Sequence, residues 1–306
     1  MANNSINNGK KIFERRGKIF AYCMVAFAVV HFAVFFVYLN FEQFRLAFLF
    51  QTVDGEEIFT WDNFARIFYE FERPNSIMQY ALVNTLQYWL MGVVKLVTSV
   101  LVAYFLWKKI PLNKTFLILF FLPNIIPSVM YVTLFKDMLS KDSPLFALVE
   151  NLFDYQIPPL FSDDRYATNT IVFFTFWAGY GVNMLIYLGA FGRIPDGVID
   201  AGKIDGCGWL RELWSIALPM IWETFSVMLI LNVSTLFTAT GNILLFTNMA
   251  EPPHTYTLSF WIYVLAQDTT EFGFASAMGI FYTIIAIPLV VLSRIIVSKM
   301  NKGVSY

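Results

Sequence analysis

The residues whose types and spacing could do chemistry are gathered in Ile194 to Pro219, IPDGVIDAGKIDGCGWLRELWSIALP. This is a polar, Gly-punctuated island between apolar runs long enough to cross a membrane. The chemistry it offers is contact with something soluble. Pro195 suits a helix start, Asp196 and Asp200 favour a first turn, and Gly206 with Gly208 can stop the helix. On such a helix Val198, Ala201 and Asp205 share one face, and Ile199 and Lys203 fall on a neighbouring one. A short amphipathic helix of this kind either lies on the membrane surface or forms a docking knob for another protein. Spacing alone leaves both open. Metal or disulfide chemistry does not fit, because the two cysteines, Cys23 and Cys207, and the two histidines, His31 and His254, stand far apart.

The island has to be held by the apolar runs around it. Hydrophobic residues make up 58% of the 306, charged residues 14%, and the mean hydropathy is +0.59. A chain so poor in charge cannot cover a globule with water-compatible surface. Six apolar stretches predict transmembrane helices at Ile19–Leu39, Ile77–Trp107, Thr115–Phe135, Thr170–Ala190, Met220–Phe246 and Phe274–Val297. The first lacks a small-residue cleavage site and reads as a retained helix behind a basic tail, residues 1–18. The third carries Pro123 and Pro127, which interrupt one hydrogen-bond ladder, as a helix bundle tolerates. The segment TWDNFARIF reads as a short surface helix, and Pro252–Pro253 as part of the last loop. The expected fold is an all-α polytopic membrane protein with a cytoplasmic helix between spans four and five.

Charge placement gives an independent test of that topology. Lysine and arginine concentrate on the side of the termini, of Lys108, Lys109 and Lys114, of the island, and of Arg294, Lys299 and Lys302. The opposite side has fewer than half as many, and Lys95 alone falls within a span. The positive-inside rule puts both termini and the island in the cytoplasm.

The island's pattern, Asp200-Ala201-Gly202, three residues, Gly206, nine residues, Ile216, one residue, Leu218-Pro219, resembles the "EAA" loop of ABC importer permeases without a gap. Asp200 stands for the usual Glu and Gly202 for the second Ala; the glycine weakens a helix by about 1 kcal/mol relative to alanine. VYLNFEQF, TWDNFARIF, LVNTLQY, FFLPNIIPSV, TYTLSFWIYVLAQ and GFASAMGIF resemble, in order, motifs of the sugar-transporting branch that includes the maltose and glycerol-phosphate permeases. The resemblance covers most of the chain. It implies one permease domain over 19–306, forming half of a pore in a bacterial or archaeal cell membrane. It also implies a second permease subunit, an ATPase dimer that carries ATP and magnesium, and an extracytoplasmic solute-binding protein that delivers a sugar. Asp200, Ala201, Gly202, Asp205, Gly206, Ile216, Leu218 and Pro219 would couple to the ATPase. The chain has no G-x-x-x-x-G-K-[ST] loop, so ATP is expected to be hydrolysed elsewhere, this subunit being non-catalytic and free of cofactor. No nucleic-acid partner is expected.

A sugar path needs polar groups inside the bundle. Asn232, Thr235, Ala239 and Asn242 fall on one face if the fifth span is continuous, and Thr175, Gly179 and Asn183 share a face of the fourth, with Tyr180 beside them. Small and hydroxyl residues also serve as helix–helix glue, so both roles stay open. Lys95 either pairs within the pore or snorkels toward an interface. Glu223 reads as interfacial, His31 and Cys23 as packing residues, and His254 as solvated or at a binding-protein contact. Among other classes, an ion-coupled carrier usually needs a carboxylate in mid-span, and a membrane enzyme needs a His, Cys or carboxylate cluster. Neither feature is present in the sequence. Cargo other than sugar, such as an amino acid, peptide or anion, is the remaining alternative.

Overall fold

Long apolar runs must satisfy their backbone hydrogen bonds internally once water is excluded, so helices dominate. The computed structural model describes residues 2–51, 57–154, 157–158, 160–161, 163–240, 242–247 and 253–300; side chains are described from residue 17 on, except at 51, 164 and 253. Pro252 and Lys302 lie outside the described residues.

Helix α1 (Ala2–Phe32) passes through a π-helical stretch, Ala33–Tyr38, into α2 (Leu39–Ala47). Gly17–Ala47 is long and apolar enough to span, extending the expected first run. An antiparallel hairpin follows, β1 (Leu49–Gln51) against β2 (Glu57–Phe59), with Phe50 opposite Ile58. Helix α3 (Asp62–Glu72) comes next. It is more than a surface helix: Asn63 and Ile67 are buried, and the Asn63 amide donates to the carbonyls of Ala47 (3.1 Å) and Leu49 (2.9 Å).

Helix α4 (Ile77–Trp107) starts where the Ser76 hydroxyl accepts from the Gln79 N–H. Its 31 residues rise about 46 Å at 1.5 Å each, well beyond a hydrocarbon core of roughly 30 Å. The expected third span is not one helix: α5 (Asn113–Ile125) and α6 (Ser128–Met138) meet at 108°. The cause is Pro127, which holds Ile126 in an extended conformation (ψ 134°) while Pro123 is carried within α5. Helix α7 (Pro144–Phe153), capped by Ser143, fills the following loop. Helices α8 (Asp164–Ala178) and α9 (Tyr180–Phe191) join at Gly179, and together Arg165–Phe191 is a spanning candidate.

The island forms α10 (Asp196–Ile204), α11 (Trp209–Glu212), a π-helical turn at Leu213–Ala217, and α12 (Leu218–Met220). A 77° bend then leads into α13 (Trp222–Ser234). The expected fifth span ends here, short of Phe246. Past Ser234 the backbone turns instead: the N–H groups of Thr238 and Ala239 both bond to Thr235 O, and Thr235 Oγ1 donates to Asn232 O. Helices α14 (Ile243–Thr247), α15 (Leu258–Leu265) and α16 (Phe272–Met300) complete the order. Among the described residues four helices are long and apolar enough to cross a membrane, or six if each bent pair is one span.

Two cores sit at opposite ends of α4. One gathers Met78, Ala81, Tyr88, Tyr131, Phe174 and Phe260; the other gathers Leu96, Tyr104, Tyr187, Phe191, Leu213 and Ala217 beside the island. At the first end Asn84 Nδ2 donates to the carbonyls of His254 (2.6 Å) and Tyr256 (2.9 Å), and Thr85 Oγ1 accepts from the Leu258 N–H. This is the structural work of the LVNTLQY motif: it pairs the backbone of the last loop, which would otherwise be buried unsatisfied.

Candidate functional site

The island's first helix is framed by local chemistry. Pro195 precedes α10, Asp196 stands in its first turn, and Gly206 ends it at φ +73°. The Gly206 N–H bonds to Lys203 O (3.0 Å) and the Cys207 N–H to Gly202 O (2.9 Å). Those two bonds make a Schellman motif, which needs a left-handed residue where Gly206 sits. Ile199 and Gly202 are buried, while Val198, Asp200, Ala201, Lys203 and Asp205 are exposed and Ile204 is 87% exposed. Of the two faces expected from spacing, Val198, Ala201 and Asp205 stay together in solvent. Ile199 and Lys203 separate, one inward and one outward.

The inward side of α10 rests on the second half of the motif. A Cβ at Gly202 would lie 2.7 Å from Ile216 Cδ1, so the residue that departs from the family's alanine makes room for that methyl. Ile216, Leu218 and Pro219 are half-buried, and Ile199 shares a core with Ile194, Leu213 and Ala217. Because Ile216 Cδ1 is the end of a flexible side chain, Gly202→Ala should be tolerated, costing under about 1 kcal/mol as helix propensity offsets the crowding. Thermal unfolding of the purified variant checks this; a large loss of stability would show that the contact is rigid. On the outer face Asp200 Oδ1 pairs with Lys203 Nζ at 2.9 Å, and that hydrogen bond holds the lysine above its ordinary pKa. Both side chains are exposed, so the pair contributes little to stability.

A second feature of the island was not apparent from spacing. Glu212, only 4% exposed, forms an ion pair with Lys108 and accepts a hydrogen bond from Tyr104 Oη (3.0 Å). Tyr104 Oη also lies 3.3 Å from the Trp209 carbonyl oxygen, and Lys108 Nζ lies 5.0 Å from the Trp107 ring centre. Thus α11 is fastened to the end of α4. The signal available in the sequence was a single carboxylate inside WLRELW, which demands a partner once buried.

Two polar side chains within the spans, Asn232 and Lys95, lie against glycines of neighbouring helices. The Asn232 amide lies against Gly92 of α4, where an added Cβ would be 2.5 Å from Nδ2, and its Oδ1 is buried without a hydrogen bond. One turn along α4, Lys95 reaches across to Gly179, whose Cβ would lie 2.7 Å from Nζ. Thr175 is one turn before Gly179, its hydroxyl bound to Ile171 O (2.9 Å). Tyr180 is buried and stacked on Phe120, with ring centres 5.2 Å apart; Asn183 is half-buried one turn further on. The single face expected for Asn232, Thr235, Ala239 and Asn242 does not form, because α13 stops at Ser234. Thr235 and Ala239 are exposed in the turn, and Asn242 caps the start of α14 by accepting from the Leu245 and Phe246 N–H groups.

Comparison with known proteins agrees with this architecture. Residues 95–306 match the family model "Binding-protein-dependent transport system inner membrane component". The chain is 26% identical over 192 residues to the maltose/maltodextrin transport system permease protein MalF of Klebsiella aerogenes, covering 61% of this chain and 37% of that protein. It is 24% identical over 196 residues to the polygalacturonan/rhamnogalacturonan transport system permease protein YteP of Bacillus subtilis, covering 63% and 61%. The matches therefore span between about a third and two thirds of those relatives. The crystal structure of a bacterial ABC transporter involved in import of the acidic polysaccharide alginate has the same fold: TM-score 0.79 at 18% identity, covering 94% of this chain and 98% of the other. The family match takes in the island, the bent fifth run and the last helix, so this multi-pass membrane protein belongs to the binding-protein-dependent transport system inner membrane components.

Proposed function

We propose that the chain is one permease half of an ATP-driven importer of a sugar or oligosaccharide, driven through α10. The observation that carries this reading is the exposure of α10: a capped helix set on its own core by Ile199 and Gly202, with Asp200, Ala201 and Ile204 turned out to solvent. A membrane-surface helix would turn its apolar residues to lipid, yet Ile199 of α10 is already buried against protein. The family match supports the importer class, and the names of the relatives, with maltose/maltodextrin and polygalacturonan/rhamnogalacturonan, support a carbohydrate cargo.

In this reading a second permease completes the pore and an ATPase dimer docks on Asp200, Ala201, Gly202, Asp205 and Gly206, with Ile216, Leu218 and Pro219 backing them. The ATPase carries ATP and magnesium, and this subunit binds no cofactor and performs no catalysis. A solute-binding protein approaches the opposite side. Both termini and the island face the cytoplasm, as the positive-inside count supports. Closure of the ATPase dimer would rock the bundles between inward-open and outward-open states around a midplane site. Asn232, Thr175, Tyr180 and Asn183 are the proposed lining residues; Thr235 and Asn242 would contribute from the turn after α13.

The test is a cross-link. With Ala201→Cys on α10 and Cys207 replaced by serine, a thiol-reactive photo-cross-linker attached at position 201 in native membranes should join the chain to an ATPase subunit on illumination. Expression of the chain alone should give no uptake. A cross-link only to lipid-exposed reagents, or uptake by the isolated chain, would overturn the subunit reading.

A further inference from the structure

We propose that Glu212 is a positioning residue that hands the displacement of α10 to α4 through its buried contacts with Lys108 and Tyr104. The proposal rests on the reading of α10 as the ATPase docking helix.

Two routes lead from the island into the bundle on its C-terminal side. The covalent one runs through the π-helical turn at Leu213–Ala217, past Pro219, which has no N–H to donate, and round the 77° bend at Ile221 into α13. Missing and misaligned backbone bonds make such a path compliant, so a push along it is absorbed as a change of bend angle. The second route is lateral. Glu212 ion-pairs with Lys108, and the Tyr104 hydroxyl donates to the same carboxylate oxygen while contacting the Trp209 carbonyl. A carboxylate this deeply buried is stable only while paired, so α11 cannot slide off α4 without stranding a charge. The latch therefore moves as a unit or breaks at considerable cost.

What lies beyond the latch gives it reach. Helix α4 is unbroken from Ile77 to Trp107, and its far end holds the backbone of the last loop through Asn84 and Thr85. A displacement entering at Lys108 is thus carried along one element to the opposite end of the bundle. It passes Gly92, which faces the Asn232 amide, and Lys95, which lies against Gly179. On this view α13 follows the motion and α4 leads it.

The experiment uses the assembled transporter from its native membrane, with Cys23 and Cys207 replaced by serine and spin labels at Ala201→Cys on α10 and Val83→Cys on α4. In the otherwise unaltered complex both labels should respond to ATP with vanadate. In Glu212→Ala the α10 response should persist while the α4 response falls at least about fivefold, the lower end of the coupling that links two sites. Tyr104→Phe keeps the ring and should give a smaller loss. Lys108→Glu combined with Glu212→Lys re-forms the ion pair and should restore the α4 response; a purely structural role would instead lower the α10 and α4 responses together. An undiminished α4 response in Glu212→Ala and Tyr104→Phe would overturn the latch. If Glu212→Ala fails to assemble, the Tyr104→Phe and charge-swapped complexes decide the matter. A silent α10 label in the unaltered complex would instead overturn the docking reading on which the latch depends.

Discussion

Alanine at Gly181 is expected to lower the unfolding midpoint of the detergent-purified chain by roughly 2–5 °C, the result of about 1–3 kcal/mol of overpacking. Gly181 lies in the first turn of α9 where it crosses α5, and an added Cβ would stand 2.5 Å from the Phe120 carbonyl oxygen and 2.9 Å from the Phe121 Cα. Both are backbone atoms, so no rotamer change can make room and the two helices must part. In lipid this matters more than in water, because surrounding acyl chains are as apolar as the core and close packing holds helices together. Separation would also disturb the stacking of Tyr180 on Phe120 and the Asn124 amide, which would lie 2.7 Å from the new Cβ. Two controls sharpen the measurement. Gly92→Ala meets only the Asn232 side chain, and Gly197→Ala, in the first turn of α10, meets nothing within 4 Å. Both should melt close to the parent. A Gly181→Ala midpoint indistinguishable from these controls would mean that α5 and α9 are not in intimate contact.

The island helix was readable in the sequence because its boundaries are local. Pro195, Asp196 and Gly206 act within one turn of where they stand, and the structure puts a helix between them. The long spans were readable because twenty or so apolar residues leave few alternatives. What escaped were features decided by sterics at one residue or by partners far along the chain. Pro127 reads as a tolerated interruption, yet it turns α5 into α6 by 108°. The hydroxyl-rich run after Ser234 keeps helical spacing on paper, but its backbone turns at Thr235 and the helix stops. The fifth-span face inferred from that spacing is lost with it. The hairpin at Leu49–Phe59 is too short to give a periodic signal. Glu212 finds Lys108 and Tyr104 more than a hundred positions away, a pairing that no window of sequence contains.

Valine at Gly206 is expected to abolish most transport while leaving the bundle folded. Gly206 has φ +73°, and its Cβ position is open, with nothing within 4 Å. The penalty for a side chain is therefore conformational and local: about 1–2 kcal/mol for an L-residue in the left-handed region, and more for a β-branched one. Relieving that strain means giving up the Schellman bonds from Gly206 to Lys203 and from Cys207 to Gly202. The last turn of α10 would then unwind and carry Asp205 and Ile204 away from their outward positions. Side-chain tolerance of the left-handed region orders the series: asparagine should retain much of the uptake, alanine less, and valine least. Uptake in cells and ATPase co-purification should both follow that order, while the unfolding midpoint changes little because the exposed tip carries no core contacts. Equal uptake by the asparagine and valine variants would show that the shape of α10 does not govern coupling. A parallel fall in unfolding midpoint and uptake would assign the effect to folding and remove Gly206 from the docking surface.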